Sequence, residues 1–140
     1  MKEIIKDQKI AMVAVLKNKD GKVLIIREAS ENYEDGNSAG KWTMPGGRLG
    51  VGESWEKGIK REALEEIGMK DLQLLKPLYV GEWIPVIQAI RTQIIGIFYL
   101  CSYSGEEIKL SNEHDLYKWI GPEEIDKYDY AGPQKEVLEK

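Results

Sequence analysis

The segment from Ser54 to Ile67 constrains this chain more than any other, because it reads as a helix that gathers like charges instead of dispersing them. Ser54 is placed as an N-cap, Glu56 falls in the first turn at the positive end of the helix dipole, and Gly68 follows the last turn as a terminating glycine. At about 100° per residue, Ile59, Ala63, Leu64 and Ile67 share an arc of roughly 140°. Glu62, Glu65 and Glu66 share an adjoining arc of roughly 100°. The apolar arc must face a core, which leaves three carboxylates projecting together beside it. Like charges three or four residues apart destabilise a helix by about 0.2–0.5 kcal/mol per pair. An acidic helix face with no other signal is ordinarily solvated, here with Lys60 and Arg61 as weak partners. An all-oxygen cluster also suits a hard cation such as Mg²⁺, which keeps several waters and bridges to phosphates. Gly58, inside the helix, costs about 1 kcal/mol against alanine, so a close packing contact is expected there.

Around this helix the pattern is mixed. Lys9 to Leu16 and Lys22 to Ile26 read as strands, joined by the turn Asn18-Lys19-Asp20-Gly21 with Gly21 placed for positive φ. Leu72 to Glu82, Arg91 to Tyr103 and Leu116 to Ile120 read as further strands. Pro122 to Tyr128 and Pro133 to Lys140 read as short helices begun by proline. Strands, a helix, strands and then helices favour a mixed α/β domain over a bundle or a sandwich of sheets alone. The polar Glu28–Lys41 stretch is long enough for a functional loop, with Tyr33 placed to close over a ligand.

The surroundings decide between the two readings of the acidic face. Pro45-Gly46-Gly47 places a tight, bare backbone near the start of the helix, and Gly50 and Gly52 add more before Glu53. Residues 47 to 69, GRLGVGESWEKGIKREALEEIGM, are similar to the Nudix box: Gly, five residues, Glu, seven residues, then Arg-Glu-bulky-x-Glu-Glu-x-Gly-bulky. Gly47, Glu53, Arg61, Glu62, Glu65, Glu66 and Gly68 fill the fixed positions, and Met69 the last bulky one. At ordinary residue frequencies seven such matches coincide by chance roughly once in 10⁸ starting points. Ala63 departs from the pattern by being small, yet it stays apolar. Trp42 to Gly47 resembles the family's Trp-x-x-Pro-Gly-Gly lead-in, and Trp119 followed by Glu123-Glu124-Ile125 resembles its late tryptophan and acidic helix.

The resemblance implies the Nudix α/β/α sandwich, a mixed sheet with helices on both sides. It implies that Glu62, Glu65 and Glu66 hold Mg²⁺ (with Mn²⁺ as a substitute), the Gly46 carbonyl being a further ligand. Arg61 would orient carboxylates such as Glu53. The general base varies in the family, and Glu113 in Ser111-Asn112-Glu113-His114 is the candidate here. Arg27 and Arg48 flank the expected site as phosphate contacts, and Trp42 as a stacking surface for a base; each of the three is equally at home as an ordinary surface or core residue. His114, the sole histidine, reads as a hydrogen-bonding residue before it reads as a catalyst. The implied activity is hydrolysis of a diphosphate linkage in a nucleotide, first a nucleoside triphosphate pyrophosphohydrolase. Hydrolysis of ADP-ribose or a nucleotide sugar is the alternative, which Pro85, sixteen residues past the box, modestly favours. A catalytically silent nucleotide-binding regulator on the same fold is the rival of another class.

The bulk properties agree. A length of 140 residues suits one domain, expected to span 1–140, which buries roughly two-thirds of its extended surface. The net charge of -4, with no basic run, argues against a nucleic-acid partner. Cys101 lies in an apolar run and reads as an inert core thiol. No segment reads as a secretory signal or a membrane span, so a cytoplasmic location and a small-molecule nucleotide substrate are expected, with the chain a monomer or homodimer.

Overall fold

A computed structural model describes residues 4–29 and 40–139. The elements in chain order are β1 (Asp7–Lys17), β2 (Val23–Glu28), β3 (Trp42–Thr43), β4 (Gly46–Arg48), α1 (Trp55–Ile67), β5 (Gln73–Trp83), β6 (Val86–Ile87), β7 (Ile90–Ser102) and β8 (His114–Ile120). A 3₁₀ turn at Pro122–Lys127 and α2 (Gln134–Leu138) close the chain. The expected mixed architecture is present: the central path of the sheet runs β3-β2-β1-β7-β5.

β1 pairs in parallel with β7 along its whole length, from Asp7↔Thr92 to Lys17↔Ser102. Its other edge is divided between β2, at Lys17↔Val23, and β4, at Ala11↔Arg48 to Val13↔Gly46. The Asn18–Gly21 turn forms as expected, with the Asn18 side chain accepting the Asp20 and Lys22 amides and Gly21 at φ 77°. The two strands it joins nevertheless part after one pair, because β4 takes the edge that a plain hairpin would fill. β2 instead lies along β8, from Val23↔Ile120 to Arg27↔Leu116, with a bulge before Glu28↔His114.

Strand alternation divides the core into two layers. Met12, Ala14, Leu16, Leu24 and Ile26 point toward Ile59, Ala63 and Ile67 of α1. Val13, Val15, Ile25 and Phe98 point the other way, toward Ile125 and Val137. A strand buried on both faces needs an unbroken apolar run, which is what Ala11–Leu16 supplies. Helices therefore cover both faces, as the resemblance implied. Cys101 lies in the α1-side core at 0 % exposure, and burial pushes its thiol up to about 12.

α1 keeps the caps read from its sequence. Ser54 Oγ accepts the Lys57 amide at 3.2 Å, and Gly68 at φ 73° donates its amide back to Ala63 and Leu64. A Cβ on Gly58 would stand 2.1 Å from Leu49 Cδ2, the close contact expected at that glycine. One expectation is corrected: Leu64 is 50 % exposed, while Glu66 is only 9 % exposed. The buried sector centres on Ile59, Ala63 and Ile67, and the β4 turn covers its Glu66 edge and leaves its Leu64 edge in solvent. Among the described residues no helix is long and apolar enough to cross a membrane. Tyr33 and most of the Glu28–Lys41 stretch lie outside the described residues.

Candidate active site

β4 is held against β1 and α1 by contacts that only glycine permits. A Cβ on Gly46 would stand 2.4 Å from the Met12 carbonyl oxygen, backbone against backbone. A Cβ on Gly47 would stand 2.4 Å from the carboxyl carbon of Glu62. The Gly46 amide donates to Glu66 Oε1 at 2.7 Å, a charge-assisted bond that draws this carboxylate under the turn.

Arg61 organises the outer carboxylates. Its Nε and Nη2 donate to Glu53 at 2.7 and 3.0 Å, a bidentate pair. Its Nη1 donates to Glu62 at 2.8 Å and Glu65 at 3.2 Å, and Nη2 also reaches the Arg48 carbonyl. Arg61 is thus ion-paired with Glu53, Glu62 and Glu65 at once. The bond from Arg61, with the Gly50 amide behind it, holds the Glu53 carboxyl down at about 2.

Glu113 arrives from the turn before β8. The Ser111 amide donates to the Glu66 carbonyl at 3.0 Å, so the turn is bonded to the carboxylate helix itself. Ser111 Oγ accepts the Glu113 amide at 3.3 Å, and the Glu113 carbonyl accepts from Ala29 at 2.9 Å. The result is a pocket of about 370 Å³ lined by Gly46, Gly47, Arg48, Glu62, Glu65 and Glu66, with Ser111 and Glu113 opposite.

The electrostatics of this pocket are one-sided. Burial pushes the Glu66 carboxyl well above the usual carboxylate range; the Gly46 amide opposes this, while Glu62, Glu113 and Glu28 add to it. Glu62 is raised mainly by burial, with Arg61 pulling it back. Glu28 is the acid that sequence reading missed. It ends β2 at 7 % exposure, and its charge acts on Glu66. A glutamate ending a mostly apolar strand was the available signal. His114 is buried on β8, where desolvation lowers it to about 4 and keeps the ring neutral.

Donor chemistry and charge both fit a hard divalent cation: oxygen ligands only, and a buried carboxylate whose charged neighbours are all anions. The arrangement is not preformed, since Glu62 and Glu65 point at Arg61. No three acidic, imidazole or thiol side chains among the described residues converge on one ion position. An ion must therefore compete with Arg61 for Glu62 and Glu65.

The remaining candidates divide. Arg48 is exposed and lines the pocket. Arg27 lies outside that lining and is held bidentately by Asp115 at 2.9 and 3.0 Å. Trp42 is 8 % exposed in the second core layer, edge-on to Tyr128 at 5.2 Å between centroids. Its ring packs in the core there, without a broad open face.

Comparison with known proteins places the sequence and the fold. The NUDIX domain model matches residues 7–140. A MutT-like protein of Streptomyces ambofaciens is 28 % identical over 83 % of the chain and 66 % of its own length. Nucleoside triphosphatase NudI of Escherichia coli O1:K1 / APEC is 28 % identical over 91 % of the chain and 92 % of its own. The crystal structure of a MutT protein from Methanosarcina mazei Go1 superposes with a TM-score of 0.83 at 26 % identity, covering 98 % of this chain and 94 % of that one.

Proposed function

The chain belongs to the NUDIX family, whose members hydrolyse pyrophosphate bonds, and on that premise we propose that it is a Mg²⁺-dependent nucleoside triphosphate pyrophosphohydrolase. Water adds at phosphorus, the bond to the bridging oxygen breaks, and nucleoside monophosphate and pyrophosphate leave. The observation that carries this reading is the single pocket shared by Glu62, Glu65, Glu66, the Gly46-Gly47 turn and Glu113. The likeness to NudI, a nucleoside triphosphatase, supports a triphosphate substrate.

Glu62, Glu65 and Glu66, with the Gly46 carbonyl, would hold the cation, and Mn²⁺ would substitute for Mg²⁺. When bound, the cation supplies Lewis-acid polarisation of the phosphates and a lowered pKa for an attacking water. Glu113 lines the same pocket and would take the proton from an attacking water. Ser111 holds Glu113 there through the turn, and Arg61 keeps Glu53 ionised and fixed behind the outer carboxylates. Arg48 would meet a substrate phosphate as an exposed guanidinium in the lining. Arg27 and Trp42 would serve substrate only by leaving Asp115 and the Tyr128 contact.

The test is product analysis across nucleoside triphosphates, nucleotide sugars, ADP-ribose and dinucleoside polyphosphates, with Mg²⁺ and with chelator. Monophosphate and pyrophosphate from a triphosphate, with Mg²⁺ alone, is the expected result. Faster hydrolysis of ADP-ribose or a nucleotide sugar would move the assignment to that class. Binding of nucleotide without turnover of any substrate would make the chain a regulatory binding module.

A further inference from the structure

The sheet face opposite α1 carries a second pocket, of about 310 Å³, that shares no lining residue with the carboxylate pocket. Val15 of β1, Leu100 of β7 and Ile120 of β8 form one side, and Ile125, Val137 and Leu138 face them. Lys17 and Lys76, both exposed, complete the lining together with glycines, Pro122 and two further aliphatic side chains. No acid, hydroxyl or amide side chain is among them. Neither lysine has a carboxylate oxygen within 4 Å among the described residues. The carboxylate of Glu123 packs beside Gly121, one of the lining glycines.

The volume equals that of about ten waters at roughly 30 Å³ each. Water bound there would find hydrogen-bonding side chains only at the two ammonium groups, since the other lining side chains are apolar. β7 lies between β1 and β5, with Lys17 paired to Ser102 and Lys76 to Leu100, so the backbones carrying the two lysines are about 12 Å apart at ordinary strand geometry. Each lysine has a long flexible stem and a compact charge, so both can close on one anion. Hydrocarbon suits the aliphatic lining side chains, and one negative group suits the two ammoniums.

We propose that this pocket is a second ligand site, for a straight-chain carboxylate whose alkyl chain lies on Val15, Leu100 and Val137 and whose head lies between Lys17 and Lys76. The test is a decanoate titration of the whole chain, followed by the backbone amide NMR signals of Gly21 and Gly121. Decanol, acetate and the double variant Lys17→Glu/Lys76→Glu serve as comparators, circular dichroism checking that the variant folds. Saturable shifts are expected with decanoate, at least tenfold weaker binding of decanol to the native chain and of decanoate to the variant, and no saturation with acetate. Glu66→Gln should leave decanoate binding unchanged, which separates this site from the hydrolytic one. Equal binding of decanol, or undiminished binding by the charge-reversed variant, overturns the proposal. So does sedimentation showing that a second copy of the chain occupies the pocket and is not displaced by decanoate.

Discussion

At the scale of single residues, the site depends on two glycines and one buried acid. Gly47 has no room for a side chain, because Glu62's carboxyl stands where a Cβ would go. Gly47→Ala is expected to displace Glu62 and lower kcat by roughly 10²–10³, a loss of the size seen when one group that stabilises the transition state is removed. Its thermal midpoint should stay within a few degrees of the native value, since Glu62 is the flexible partner in that contact. Glu66 is expected to behave in the opposite way from an ordinary stabilising acid. Its folded pKa is raised, so its contribution to stability is present below the unfolded value near 4.5 and lost as pH rises through the folded one. Glu66→Gln, free of divalent cation, should therefore be more stable than the native chain at pH 8 and gain little at pH 4, by urea midpoint. The same variant should lose turnover by roughly 10²–10³. A variant no more stable at pH 8 than the native chain would show that Glu66 carries no burial penalty.

At the scale of elements, α1 was the most legible part of the sequence because its signals are local. Ser54 and Gly68 each act within about one turn of where they stand, while Gly58 makes room for Leu49 in the loop just before the helix. Ser54→Ala should cost about 1 kcal/mol, the usual worth of a lost N-cap, with kcat unchanged, measured by denaturant midpoint alongside turnover. Leu64 misled because a helical wheel gives the angle of a residue and says nothing of which neighbour covers it. β4 was read as a turn; Gly46–Arg48 becomes a strand only because β1 offers an open edge. The β6–β7 hairpin went unread because Gln88 and Ala89 turn it with positive φ, at 49° and 63°, where a glycine or asparagine would have marked it.

At the scale of the whole molecule, what the sequence did not announce is what brings the site together. The parallel register of β1 on β7 and the bond from Ser111 to the Glu66 carbonyl join segments far apart in the chain. Glu113 could be nominated from composition, but only that bond sets it opposite Glu62 and Glu66. The divided edge of β1 matters equally, since β4 rather than β2 occupies the part nearest α1 and puts bare backbone over the carboxylates. The molecule thus crowds carboxylates into one pocket, sharing Arg61 among the outer acids and leaving the buried Glu66 with anions as its charged neighbours. The most direct test of this account is Mn²⁺ binding by water-proton relaxation, on the native chain, on Glu66→Gln and on Glu56→Gln, an exposed acid of the same helix. Saturable binding is expected for the native chain and Glu56→Gln, weakened at least tenfold in Glu66→Gln. Equal binding by all three would contradict the claim that this cluster holds the cation.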